Sequence, residues 1–395
     1  MAPPLFSRNP DFDPSIATDQ LTNQWVLPGD VFSVLLILGG DVVGRALAQL
    51  AGSGLTPVAF SFGWVSYSIS ALVSSFGENK LMPQSPDTHC KVINGKSGYC
   101  RDNTSWILGR VMRDFEHWRD PATRLKTNEI LDLKWEQLKG RDAQAKRPPR
   151  AGLVVTVYEP SMTWPAGVPV QDYVYWSGMA TLAVQLGIAA VPCALFGDWG
   201  ILMVTAAGAS LSLATGFLPQ WSKEKWACRR GARDNYIITR GNGAQHAIVI
   251  LGNKHGLNLE DLAAGQDNVE VSANGLTRVA LLALSTLWTL LLIAAAGMEA
   301  NTWFLLAVGA VGMVQNVFVA GWSRRPENLG IPLDFVKVVG HAKVMDTLFE
   351  VEERCPYLGR AMRDEFFPAA LTLEEEKRWL RLEAEAKAGK SSNWL

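Results

Sequence analysis

The 395-residue chain is poor in cysteine, in unbalanced charge and in recognisable catalytic motifs. Cys90, Cys100, Cys193, Cys228 and Cys355 are an odd number and widely scattered, which excludes a disulfide framework. Lys and Arg total 37 against 38 Asp and Glu, a net charge of −1. No segment concentrates basic charge as a nucleic-acid binder does, so no nucleic-acid partner is expected. Gly95-Lys96-Ser97 ends like a phosphate loop, but Cys90 stands where the first glycine belongs. Arg240-Gly-Asn-Gly-Ala-Gln-His246 lacks the third glycine of a dinucleotide fingerprint. There is no His-x-x-x-His box, no aspartate-rich metal motif and no Gly-x-Ser-x-Gly elbow. No cofactor and no catalytic residue is therefore expected, and the reading leans away from an enzyme.

What the chain has is long apolar runs. Hydrophobic residues are 48% of it and charged residues 19%. Six spans pair up around very short loops: 31–51 with 56–76, 174–196 with 200–218, and 276–297 with 302–322. About twenty apolar residues in a helix cross a hydrocarbon core of ~30 Å. The expected fold is a membrane α-helical protein with six transmembrane helices in three hairpins. Segments 1–30, 77–173, 219–275 and 323–395 lie outside the bilayer, the middle two as a loop domain and a β-hairpin loop, the last as a helical tail. Within 1–30, Asp11, Asp13 and Asp19 against a single Arg8 are not a signal peptide, so the first span reads as an uncleaved insertion signal.

Charge orients the chain. Of its Lys and Arg, 15 lie in 77–173, seven in 219–275 and twelve in 323–395. The loops 52–55, 197–199 and 298–301 carry only Asp198 and Glu299. Positive residues stay on the cytosolic side, so both termini and both long connections are expected there, with three hairpins pointing outward. Lys223, Lys225, Arg229 and Arg230 after the fourth span, and Arg324 and Arg325 after the sixth, agree.

The extramembrane segments read as a small α+β assembly. Helical stripes run over 103–119 (Leu108, Val111, Met112, Phe115, Trp118) and 128–139. Leu153–Tyr158, Tyr236–Thr239 and Ala247–Leu251 are β-branched strands. Asn94-Gly95 predicts a type I′ hairpin that brings Cys90 and Cys100 nearly face to face beside His89. That cluster is either a weak metal or redox site or two free thiols; a zinc site needs four ligands, and no second pair is visible. The tail reads as helix from Pro332, with Val336, Val339, Met345, Leu348 and Phe349 on one stripe, and as a final helix opened by the capping box Thr372–Glu375.

Few polar residues fall inside the spans. Asp41 and Arg45 share a helix face at i, i+4, either as a proton or ion relay or as a structural pair. Gln185, Gln315 and Asn316 are candidates to join them or to bond between helices. The spacings Gly40/Gly44, Ser66/Ser70/Ser74 and Gly208/Ser212/Gly216 favour close helix approach, and no broken helix is evident. One echo stands out. Leu108-Gly-Arg-Val-Met-Arg-Asp114 resembles Leu358-Gly-Arg-Ala-Met-Arg-Asp364. It is either a duplicated contact presenting Arg110, Arg113, Arg360 and Arg363 to an anionic group such as a lipid headgroup, or a chance likeness of two amphipathic helices.

The stretches Gly29-Asp-Val-Phe to Gly77-Glu-Asn-Lys-Leu-Met-Pro83 and Val92-Ile-Asn-Gly-Lys-Ser-Gly-Tyr99 resemble a family of uncharacterised multi-pass proteins of filamentous fungi. The resemblance implies membrane residence and assigns no functional residue. The expected function is a non-enzymatic membrane organiser or sensor acting through its cytosolic face. Its partners would be the bilayer and a cytosolic protein at the C-tail. The alternatives are a proton- or ion-coupled transporter using Asp41 and Arg45, and a membrane-embedded enzyme.

Overall fold

A computed structural model describes residues 39–388, apart from 53, 84–86, 266–271, 299 and 369. Segment 1–30 and the first eight residues of the first span lie outside the described residues. The chain runs α1 (Gly40–Leu50), α2 (Gly63–Gly77), β1 (Lys91–Asn94), β2 (Cys100–Asp102), α3 (Trp106–Arg113), α4 (Phe115–Trp118), α5 (Pro121–Lys139) and β3 (Leu153–Pro160). Next come α6 (Tyr173–Phe196), α7 (Gly200–Gly216), α8 (Gln220–Lys225), β4 (Tyr236–Thr239), β5 (His246–Ile250), α9 (Leu259–Ala263), α10 (Gly275–Ala296) and α11 (Thr302–Gly321). It ends with β6 (Leu333–His341), α12 (Val344–Arg354), α13 (Leu358–Phe366) and α14 (Leu373–Lys387).

Three helices, α6, α10 and α11, are long and apolar enough to cross a membrane. Helix α7 is apolar but shorter, at 17 residues. Their outer flanks expose Val184, Val191, Leu282, Leu290, Ile293, Val314 and Val317, as lipid-facing surfaces do. Six crossings are not shown. The loops after α6 and before α11 meet at the end of the bundle away from the sheet, where Asn301 Nδ2 donates to Asp198 Oδ2 at 3.0 Å.

The first hairpin departs from expectation. Loop 51–55 lies at the sheet end, not with the other two short loops: Gly52 abuts the Trp226 ring, and Thr56 Oγ1 donates to the Gly216 carbonyl at the end of α7 (3.0 Å). Residues 56–62 then enter the bundle without helical structure, and α2 returns to the sheet end. Helix α11 gauges the depth. Ala59 meets Asn316, Phe60 meets Gly312 and Phe62 meets Gly309, twelve residues from the helix end. At 1.5 Å per residue that is about 18 Å in. The segment expected as a second span is a re-entrant chain followed by a helix of 15 residues.

Non-helical backbone at such depth must be buried in protein and hydrogen-bonded there. Asn316 accepts from Ala59 N–H at 3.1 Å and donates to its carbonyl at 3.0 Å. Gln185 Nε2 donates to the carbonyls of Phe60 (2.6 Å) and Val308 (2.8 Å). Phe60 and Trp64 both stack on Trp288 of α10, closing an aromatic core.

The sheet has six strands in the order β2-β1-β4-β5-β3-β6, antiparallel except for β3–β5. Alternation along each strand makes two apolar faces. Val92, Ile238, Ile248 and Tyr158 face α3 and the bundle; Ile93, Ile237, Val249 and Val155 face α12, α13 and α14. The sixth strand corrects the tail: Leu333–His341, expected as the start of a helix, pairs along the whole of β3. Its Phe-Val-Lys-Val-Val run suits a pleated surface. Met345, Leu348 and Phe349 do lie on a helix, α12. The expected 103–119 helix breaks at Asp114 into α3 and α4, and all five stripe residues pack in the core. Helix α5 starts earlier than expected because Asp120 caps it, accepting from Ala122 N–H at 2.8 Å, and Pro121 fits the first turn. Both hydrogen bonds of the Thr372–Glu375 capping box form.

Candidate functional site at the bundle–sheet junction

Helices α1 and α11 both end at the junction, where their last carbonyls have no partner within the helix and carry the negative end of the dipole. Three buried cations from three segments meet those carbonyls. Arg110, on the bundle side of α3, donates from Nε to Gln49 Oε1 at 3.1 Å, from Nη2 to the Ala320 carbonyl, and from Nη1 to Asp87. Arg324, two residues past Trp322, forms a two-point pair with Asp172 (2.8 Å and 2.8 Å) and donates to the Gln49 carbonyl at 2.8 Å. Lys225, at the end of α8, donates to the carbonyls of Gln49 (3.1 Å) and Ala51 (2.7 Å).

Acids complete the shell. Asp172 caps α6 through Tyr175 N–H while it holds Arg324. Asp114 accepts from Arg113 Nε (2.7 Å) and from the Arg324 N–H (3.0 Å). Arg113 reaches the Gly321 and Trp322 carbonyls at 3.2 Å and 3.3 Å. Among the described residues no carboxylate lies within ion-pair distance of Lys225. Burial, then Arg324 and Arg110, hold its ammonium well below the usual lysine range. Burial and Arg113 lower Arg110 to about 10 against the pull of Asp87. Beside Lys225 is a cavity of about 20 Å³, room for one water, into which Trp106 also faces. The Trp106 indole N–H has no partner among the described residues. Glu224 also lines the cavity and accepts from the Leu81 and Met82 N–H groups; burial raises its pKa. Every acid here is engaged and no nucleophile stands beside a base. The arrangement anchors one body to another.

The residues singled out from sequence fall in separate places. Asp41 and Arg45 pair at 3.0 Å, with side chains 76% and 51% exposed on the outer flank of α1 rather than toward the bundle interior. Gln185 and Asn316 converge on the re-entrant segment, whereas Gln315 bonds Ser177 at 2.8 Å. The Leu-Gly-Arg-x-Met-Arg-Asp pair lies on opposite faces of the sheet. Arg110 and Arg113 enter the junction, while Arg360 pairs with Glu383 (2.9 Å) and Arg363 with Asp364 (3.0 Å). Each is satisfied by the chain's own groups.

The 91–102 hairpin forms, but its loop spans 95–99. Asn94 Oδ1 accepts from the N–H groups of Lys96 and Ser97, and Gly98 takes the left-handed conformation. Cys100 therefore pairs with Ile93, on the face covered by α13, near Glu365. Cys90 lies three residues further down, buried on the bundle face, and burial pushes its thiol up to about 12. The two thiols are on opposite sides of the sheet, and His89 is exposed. No group of three or more potential metal ligands occurs among the described residues.

The junction was only half visible beforehand. Arg324 and Lys225 were noted as charge after a span. Asp87, Asp114 and Asp172 were not singled out, although an acid one residue before an apolar span is an N-cap signal. In comparisons with known proteins, no family model, no curated protein and no solved structure matches this chain.

Proposed function

We propose that the protein is a non-enzymatic membrane sensor or organiser in which bundle and sheet move as one unit, with the sheet on the cytosolic side. The observation that carries this is the set of three buried cations gripping the carbonyl ends of α1 and α11. A tilt or shift of those helices displaces Arg110, Arg324 and Lys225, and with them α3 under the sheet. The sheet's outer helices offer a surface for a protein partner. Leu373 and Leu380, seven residues apart on α14, are exposed among charges. Hydrogen exchange of the full chain in bilayers of two acyl lengths tests the reading. Protection of β4 and β5 should change with bilayer thickness in the native chain and not in Arg324→Gln. Identical exchange in both bilayers for the native chain refutes it. Proximity labelling should compare the full chain with one ended after Phe367, since an earlier cut removes β6; an unchanged neighbour set refutes the tail as a partner site.

A second reading, solute passage, rests on the re-entrant segment. Around it Gln185 Oε1, Thr205 Oγ1 and Trp288 Nε1 are buried without partners among the described residues. Irregular backbone with free polar groups at depth marks binding sites in carriers. The outward position of Asp41 and Arg45 moves the candidate residue from that pair to Gln185. Reconstituted flux lost in Gln185→Leu supports it; no flux of any solute tested in the native chain counts against it.

A further inference from the structure

We propose that a cleft at the β4–β5 turn binds a phosphate-bearing ligand. The cleft has a volume of about 390 Å³, within the range of small-ligand sites. It opens between α3–α4 and the turn Arg240-Gly-Asn-Gly243, on the side of the sheet that faces the bundle. Arg150 and Arg240 reach it from two segments, and neither makes an ion pair or hydrogen bond among the described residues, while most arginines of the sheet and its flanking helices are paired. Two free guanidiniums at one cleft are the side chains suited to two-point recognition of a phosphate. His246 forms one wall. Among the described residues its Nδ1 is buried without a partner, as is Arg119 Nε behind it. The one carboxylate lining the cleft among the described residues, Glu116, is engaged by Arg119 at 2.7 Å. Arg119 and Arg240 add positive field, which together with burial keeps the imidazole neutral. Gly243, at positive φ with open space where a Cβ would stand, lets a group approach the backbone of the turn closely. Phe115 and Met112 supply an apolar floor for the rest of the ligand.

The site is distinct from the junction and stands whether or not the sensor reading holds. Its position leaves two sources for the phosphate. Arg113, three residues before Glu116, bonds the carbonyls at the end of α11, so the cleft lies close to the bilayer boundary and also opens to solvent. The full chain in phosphatidylcholine nanodiscs should be titrated with sodium phosphate and with adenosine monophosphate. In parallel, nanodiscs with and without phosphatidylinositol 4-phosphate should be compared by native mass spectrometry. Saturable binding is expected in one arm, and which arm identifies a soluble ligand or a headgroup. Arg150→Gln with Arg240→Gln should weaken it at least about tenfold, the loss expected for one charge-assisted contact. The control, Arg360→Gln with Arg363→Gln, makes the same charge change elsewhere on the sheet and should bind as the native chain does. No saturable binding in either arm overturns the proposal, as does equal weakening in the control.

Discussion

The pair Arg324–Asp172 ties the end of α11 to the start of α6, and a double-mutant cycle measures what it contributes. Arg324 is 3% exposed and fully engaged: two bonds to Asp172, one to the Gln49 carbonyl. Removing one partner of a buried pair costs about 3–5 kcal/mol, because the other charge stays behind uncompensated. Asp172→Asn keeps the α6 cap, since Asn caps as well as Asp, so its loss reports the pair itself, the charge together with the bond from Arg324 Nε. Arg324→Gln leaves Asp172 with its cap bond and slight solvent access and belongs near the lower end of that range. Once one charge is gone, removing the second relieves a buried charge. The double variant should therefore cost about as much as one single, a coupling of about 3 kcal/mol. Reversible unfolding in mixed micelles, followed by far-UV circular dichroism, reads all four corners. Two singles below about 1 kcal/mol that simply add would mean the pair behaves as an exposed ion pair does, and the buried-junction argument fails.

Gly312→Ala should destabilise by at least about 3 kcal/mol or abolish folding, because the added methyl overlaps the Phe60 carbonyl and crowds Gln185. Gly187→Ala, with nothing within 4 Å, should be neutral or slightly stabilising by about 1 kcal/mol or less; equal effects refute the re-entrant packing. Lys225 binds its proton less tightly folded than unfolded, so stability rises as pH climbs toward the free-lysine value of about 10.4. Lys225→Met should lack that rise in unfolding curves from pH 7.5 to 10, and parallel curves would show that Lys225 is not buried. A maleimide should modify the exposed Cys100 well before the buried Cys90, and oxidant should not join them; a Cys90–Cys100 crosslink in folded protein would contradict the opposite-face register.

The strands were legible because their signal is local. Leu153–Tyr158, Tyr236–Thr239 and Ala247–Leu251 are β-branched runs between turn residues, and each is a strand or most of one. Helices α6, α10 and α11 were legible for the same reason, as predominantly apolar runs of 20 to 24 residues. Strand β6 was not, because Val336, Val339, Met345, Leu348 and Phe349 fit one helical spacing that crosses a real boundary at Ser-free, charged Lys343–Val344, where α12 begins. The candidate sites were less visible still. Arg110 and Arg324 lie 214 positions apart in number but meet at Gln49, and no spacing rule links them.

The first hairpin shows why hydropathy misled. Hydropathy measures how well a segment tolerates an apolar solvent, not which backbone conformation it takes there. Thr56-Pro-Val-Ala-Phe-Ser-Phe62 carries no charge and continues an apolar run, and the interior of a helix bundle is as dry as lipid. What separates the two cases is where the peptide groups find partners, and those partners sit on other helices: Asn316 and Gln185. The small residues carried the missing information. Gly208 and Gly216 suggested helix-to-helix approach by their spacing, yet Gly208 faces the Phe60 ring and Gly216 faces Thr56. Gly178, Gly309 and Gly312 likewise face Pro57, Phe62 and Phe60. Glycines on three helices thus clear a channel as wide as one extended chain, and Pro57, which donates no N–H, stands near its mouth. Gly40 and Gly44, by contrast, do receive a helix, against Ser66 and Tyr67 of α2. The same residue type admits a helix in one place and an extended segment in another. What distinguishes them is the pair of amides, Gln185 and Asn316, that meets the backbone of the extended segment, and that pairing is a property of the assembled bundle rather than of any window of sequence.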